Sequence, residues 1–227
     1  MTETELDALL ADCPTLYHMA ERGSWPAIAA RGLLSTTALL DLYAVPEPAR
    51  STIERDHRPE GVTLRAEGLP PAVVRDQKPM SRAGLERCLP ARLAPEDWLA
   101  LLNAKVFFWL SEARLHRLTG AKAYRDDAHD VLEIDARSLV DAHRERIWLC
   151  PINSGATKPF GAPRDETSFA RIEDYDYAHW RAKRPKGERV VELAVDHAVP
   201  DIARHVRRVV VKRGTETVAV LHEAAAA

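Results

Sequence analysis

The C-terminal third of the chain carries runs of strand character at residues 188–196, 207–212 and 216–221, with no regular crossover helices among them. Parallel strands need a connection of about a dozen residues or more, usually helical, whereas antiparallel strands can be joined by a tight turn. The last two runs flank Gly214 as a hairpin. Earlier strand-like runs are mixed with short helices. The pattern argues for an α+β fold rather than a doubly wound parallel sheet.

Amphipathic spacing predicts a short helix near 3–11, with Leu6, Leu9 and Leu10 as its apolar residues. Pro14 ends it, and Thr15-Leu16-Tyr17-His18-Met19 reads as a first strand. A second helix near 24–31 has Ser24 as its cap, Pro26 in its first turn and Gly32 at its C-terminus. Another runs through Leu39, Leu40 and Leu42. Short strands at 62–65 and 72–75 surround a turn at 68–71. Pro95 opens a helix through Trp98, Leu101 and Leu102, with Glu96 and Asp97 at its positive end. Val106 to Leu110 is a compact buried strand, Ser111 caps the helix after it, and further strands fall at 131–134 and 146–149. Residues 45–61 are rich in proline, arginine and glutamate, and are expected to form a mobile surface loop. A basic connection is expected at 181–189 and a fraying tail at about 223–227.

The 227 residues suit a single domain, with 46% hydrophobic and 29% charged residues as in ordinary soluble proteins. A net charge of −2 gives no global attraction to nucleic acid or membrane. No apolar run reaches the roughly 18 residues of a membrane span, and the acidic N-terminus lacks the plan of a signal peptide. Cys13, Cys88 and Cys150 are odd in number and widely spaced, and read as reduced thiols of a cytoplasmic protein. The histidines form neither H-E-x-x-H nor a Cys/His ligand spacing, so no metal site is expected. Phosphate loops, dinucleotide-binding glycines and the G-x-S-x-G elbow are all missing.

Glu192 is the residue that stands out. In the 188–196 run, Val191, Leu193 and Val195 share one face, and Val190, Glu192, Ala194 and Asp196 share the other. A strand glutamate either faces solvent, its ordinary fate, or has a chemical role.

Several segments resemble, in order, DarT-type ADP-ribosyltransferases, which modify DNA bases using NAD. These are Leu16-Tyr17-His18-Met19-Ala20, Trp25-Pro26-Ala27-Ile28, Gly32-Leu33-Leu34-Ser35, Val106-Phe107-Phe108-Trp109 and Arg114-Leu115. Val131 to Asp135, Pro151-Ile152-Asn153-Ser154-Gly155-Ala156, Glu192-Leu193-Ala194-Val195 and Val199-Pro200-Asp201-Ile202 complete the set. Each motif is short, and their colinearity over about 15–211 carries the resemblance. The whole chain also resembles a group of bacterial proteins of unassigned function.

The resemblance implies one ADP-ribosyltransferase-like domain over 1–227, with a split β-sheet core and peripheral short helices. It implies a glycosyltransferase-type enzyme that uses NAD as substrate and needs no metal. Glu192 is then the catalytic residue, beside the oxocarbenium-like ribose that forms when nicotinamide leaves. His18, Phe108, Trp109, Arg75, Arg114 and Asn153 become candidates for NAD binding. Each retains a plainer reading: core packing for His18 and the aromatics, a solvated charge for the arginines, backbone satisfaction for Asn153. The arginine that the family places ahead of its aromatic strand has Arg75, Arg82, Arg87 and Arg92 as candidates. The acceptor is expected to be a nucleic-acid base or a protein side chain. Arg181, Lys183, Arg184 and Lys186 offer cations to DNA or RNA, or serve only as a solvated loop. A toxin with an antitoxin partner and a housekeeping enzyme both fit. So do a non-catalytic NAD- or ADP-ribose-binding module and an RNA 2′-phosphotransferase-like enzyme.

Overall fold

The structure, a computed structural model, describes residues 1–225. Its strands are β1 (Thr15–Glu21), β2 (Leu33–Leu34), β3 (Val62–Leu64), β4 (Ala72–Val74), β5 (Lys105–Trp109) and β6 (Ala128–Asp135). They continue with β7 (Ile147–Cys150), β8 (Ala170–Arg171), β9 (Glu192–Asp196), β10 (Ala198–Val199), β11 (Val206–Arg213) and β12 (Glu216–Glu223). The helices are α1 (Glu3–Asp12), α2 (Trp25–Arg31), α3 (Thr36–Leu42), α4 (Ala49–Arg55), α5 (Arg82–Cys88) and α6 (Pro95–Asn103). The remaining three are α7 (Glu112–Thr119), α8 (Ala136–His143) and α9 (Tyr177–Lys183).

Eight strands form one sheet in the order β12-β11-β6-β1-β5-β9-β7-β8, and every pairing is antiparallel. The fold is therefore α+β, as the absence of crossover helices implies. Alternation along each strand decides which layer a residue enters. Leu193 and Val195 join the main core with Leu16, Phe108, Leu132, Ile134 and the leucines of α1. Ala194 faces the other way, toward Trp98, Leu99 and Leu102 of α6. A separate cluster on that second side contains Met19, Leu115, Tyr124, Val131 and Val210.

The sheet is weakest at its centre. β1 pairs with β6 through seven registered residues, from Thr15↔Asp135 to Glu21↔His129, but with β5 only through Tyr17↔Trp109. β5 in turn pairs along its whole length with β9, ending at Trp109↔Glu192. The two halves of the sheet thus diverge on either side of one residue pair.

Four sequence expectations change. Residues 45–61 contain α4, which buries Ile53, and Arg58 behind it is only 7% exposed. Its guanidinium donates to the Ile53 carbonyl, to Arg75 O at 3.3 Å and to Asn103 Oδ1 at 3.0 Å, so tertiary contacts hold the segment without apolar periodicity. The basic stretch at 181–189 begins inside α9, which Asp176 caps by accepting from the His179 N–H. Of the expected tail, Glu223 instead closes β12 and Ala224 N–H donates to Arg207 O at 2.8 Å, while residues 226–227 lie outside the described residues. Ser24 makes no cap hydrogen bond to α2 and instead donates to Glu21 O at 2.6 Å. No helix among the described residues is long and apolar enough to cross a membrane.

Gly32 joins α2 to β2 with φ of 91° and ψ of 167°, a region open essentially to glycine alone. A Cβ there would meet Pro200 Cα at 2.6 Å, in the turn after β10. Gly32→Ala is expected to lower the denaturant midpoint by the equivalent of about 2 kcal/mol or more. Gly23→Ala, also at positive φ but with open space around its Cβ, is expected to cost less. Equal midpoints for the two variants would contradict the packing account.

Candidate functional site

The divergence of β1 and β5 opens a cavity of about 700 Å³ that reaches both sides of the sheet. Its walls include Tyr17, His18 and Met19 of β1, Phe107, Phe108 and Trp109 of β5, and Glu192 of β9. Residues 153–155, the β2 region and Arg58 and Arg75 also line it. Ligand pockets commonly enclose about 300–1,000 Å³, so the space suits a cofactor-sized molecule.

Glu192 is the first residue of β9, paired with Trp109 on one side and Cys150 on the other. Tyr17, Trp109, Glu192 and Cys150 therefore stand side by side on one face of the sheet. The solvent-facing alternative does not hold, because Glu192 is 4% exposed. The Ser154 N–H donates to both carboxylate oxygens, at 3.2 and 3.1 Å. Burial pushes its carboxyl up from 4.5 to about 7, against the opposing pull of Ser154 and of the Arg164 and Arg114 charges. At neutral pH the group is poised between its two forms.

His18 faces the opposite side from Tyr17, but its ring sits in the gap. Nδ1 lies 2.8 Å from Phe107 O, across the divergence of β1 and β5. A carbonyl only accepts, so Nδ1 carries the proton and Nε2 offers a lone pair. Desolvation, helped by Arg75, lowers its pKa to about 4, so the imidazole is neutral. The plainer reading, a histidine satisfied by backbone, accounts for Nδ1 and leaves Nε2 for a ligand.

The other candidates separate. Trp109 is half-buried beside Glu192. Phe108 is 1% exposed, in the main core behind His18, with ring centroids 5.8 Å apart. Arg75 donates to Met19 O at 3.2 Å and lies 5.4 Å from the centre of the Tyr124 ring. Arg58, which no sequence motif marks, also reaches this cavity, and burial lowers its pKa to about 10. Neither guanidinium has a carboxylate partner among the described residues. Arg82 and Arg92 are instead paired with Glu86 and Glu96, and with Asp165 and Glu166, respectively.

Arg114 lies outside the large cavity, ion-paired with Glu188, on a second space of about 470 Å³. Asn153 borders both spaces. Within the basic run, Arg184 turns inward to the carbonyls of Pro151 and Glu188 and lies 4.1 Å from the Trp180 ring centre. Lys186 is 2.9 Å from Asp12. Arg181 and Lys183 remain exposed on α9.

His143, Asp201 and His205 form the one group among the described residues with the spacing of metal ligands. Arg146 donates to His143 Nδ1 at 2.8 Å, which leaves the Nε2 proton to bond Asp201 at 2.7 Å. Metal on that Nε2 would drive a proton onto Nδ1, against the Arg146 donor. The trio reads as a structural clasp on the turn behind β10.

Residues 14–206 match a family of unknown function, DUF7002. The chain belongs to that family. No curated protein and no solved structure matches it.

The raised pKa has a stability consequence. The unfolded chain releases the Glu192 proton near 4.5 and the folded protein near 7. The folded state therefore binds more protons in that window, and wild type loses stability as pH rises through it. Glu192→Gln, free of that cost, is expected to gain on wild type by about 2–3 kcal/mol between pH 5 and 8 in chemical unfolding. A gain independent of pH would contradict the burial account.

Proposed function

We propose that the chain is an NAD-dependent ADP-ribosyltransferase, with its substrate held where the sheet splits between β1 and β5. The buried Glu192 carboxylate, at a cavity it shares with His18, Trp109 and two guanidiniums without carboxylate partners, carries the reading. When the C1′–nitrogen bond of NAD breaks, nicotinamide leaves with the electron pair and positive charge develops on the ribose. A fixed carboxylate in a site with little water stabilises that charge more than it would in solution. The cationic nicotinamide ring of the substrate, placed beside the carboxyl, also favours the charged form of Glu192, whose pKa lies near neutrality.

The remaining residues take supporting roles. The Nε2 lone pair of His18 accepts from a ribose hydroxyl or the nicotinamide amide. The Trp109 ring offers the cationic nicotinamide an attraction of about 0.5–2 kcal/mol. Phe108 supports His18 from the core. Arg75, with Arg58 behind it, suits the pyrophosphate, whereas Arg114 is engaged by Glu188. The acceptor's lone pair then bonds C1′, and the proton it sheds passes to Glu192. The acceptor is a nucleic-acid base or a protein side chain, and Arg181 and Lys183 are the cations left for a phosphate backbone.

Glu192→Gln is expected to slow nicotinamide release from labelled NAD by about 10²–10³-fold, with NAD affinity changed only a few-fold. In wild type, kcat/KM should fall about tenfold per unit below pH 7, because the charged carboxylate is required. A variant as fast as wild type would contradict the mechanism. Saturable NAD binding without nicotinamide release would identify a binding module instead.

A further inference from the structure

We infer that Arg164 is the positioning residue of the site: its guanidinium folds the 153–162 loop so that the Ser154 N–H meets the Glu192 carboxylate, and it places a positive charge behind that contact. Arg164 is 4% exposed. It donates to Ser154 O at 2.7 Å, Ala156 O at 2.8 Å and Ala162 O at 3.0 Å, with a longer contact to Asn153 O at 3.5 Å. The planar fork thus gathers carbonyls from both ends of the loop, which an ammonium cannot do at once.

The loop is also fastened from outside. The N–H groups of Thr157 and Lys158 donate to Pro79 O at 2.9 and 3.1 Å, and Arg164 N–H donates to Cys88 O at 3.0 Å. Glycines allow the close approach to α5: a Cβ on Gly84 would lie 2.3 Å from Thr157 Oγ1, and one on Gly161 2.4 Å from Cys88 Sγ. Ser154 is therefore held between α5 and β9, with Arg164 as the brace.

Arg164 has no ion-pair partner among the described residues, and a buried guanidinium without one is costly. The carboxylate it opposes is Glu192. Each favours the other's charged form, while burial disfavours both. The other titratable groups around Glu192 are Cys150 opposite it, kept protonated by burial, Arg114 on α7, and the neutral His18 across the cavity. Arg114 is already engaged by Glu188, which leaves Arg164 as the cation that the carboxylate depends on.

The experiment is a pH titration of the Glu192 side-chain carboxyl carbon by NMR in the ligand-free protein, for wild type, Arg164→Lys and Arg164→Met. In Arg164→Met the midpoint is expected to rise by about one unit. Nicotinamide release at pH 7 should then fall about fivefold and recover at higher pH, as the charged fraction of Glu192 dictates. An unchanged midpoint in folded Arg164→Met overturns the inference. If that variant does not fold, Arg164→Lys serves, since its ammonium loses the shared grip on the carbonyls; an unchanged midpoint there overturns it equally. A shifted midpoint in a chain that never cleaves NAD keeps the role of Arg164 and rejects the proposed reaction.

Discussion

A carboxylate inside a sheet needs donors that the sheet cannot supply, because strand N–H groups are committed to their neighbours. Glu192 finds its donor outside the sheet, in the Ser154 N–H at 3.1 and 3.2 Å. The loop carrying Ser154 has no regular secondary structure around that residue, so its shape depends on contacts with side chains and with α5. The arrangement leaves Glu192 buried but only partly compensated, and its pKa rises to about 7. Groups held at such a cost to stability are concentrated at functional sites.

The gap between β1 and β5 has the same logic. A continuous sheet would pair His18 and its neighbours with β5, and no ligand space would remain. Here one registered pair, Tyr17↔Trp109, keeps the halves together, and the His18–Phe107 hydrogen bond spans the opening. On the second side, the apolar residues form separate clusters under each half, so the seam is also a seam in the core. The cavity and the neutral imidazole both follow from this interruption.

Much of the framework was legible in the sequence because local pattern and burial agree. Val106 to Leu110, the runs around Val131 and Ile147, and β11 before Gly214 are apolar, largely buried strands close to where alternation and turn residues place them, whereas β12 after that turn is exposed along nearly its whole length. The 45–61 segment lacks such agreement. Only Ile53 of α4 is buried, and Arg58 secures the rest through distant Asn103, so no periodicity announces the helix. In α9 the signal existed: Asp176 is a cap, and Tyr177 is buried while Trp180 is half-buried, but the basic residues at its end suggested a loop.

For the site, residue type was informative where chemistry is rare, as with the strand glutamate and the first-strand histidine. Arginine was not, since the chain has many and their roles are set by tertiary partners. Arg114 is spent on Glu188, Arg184 on carbonyls and Trp180, whereas Arg58 and Arg164 are drawn inward without any motif. Phe108 and Trp109 are adjacent in sequence, yet alternation sends one to the core and the other to the carboxylate. The most direct measurement of the account is an isotope-filtered NOE spectrum of Glu192→Gln protein saturated with NAD, with histidine and tryptophan labelled. Contacts from the nicotinamide and its ribose to the Trp109 indole and the His18 ring are expected. NAD bound with contacts to neither would contradict it.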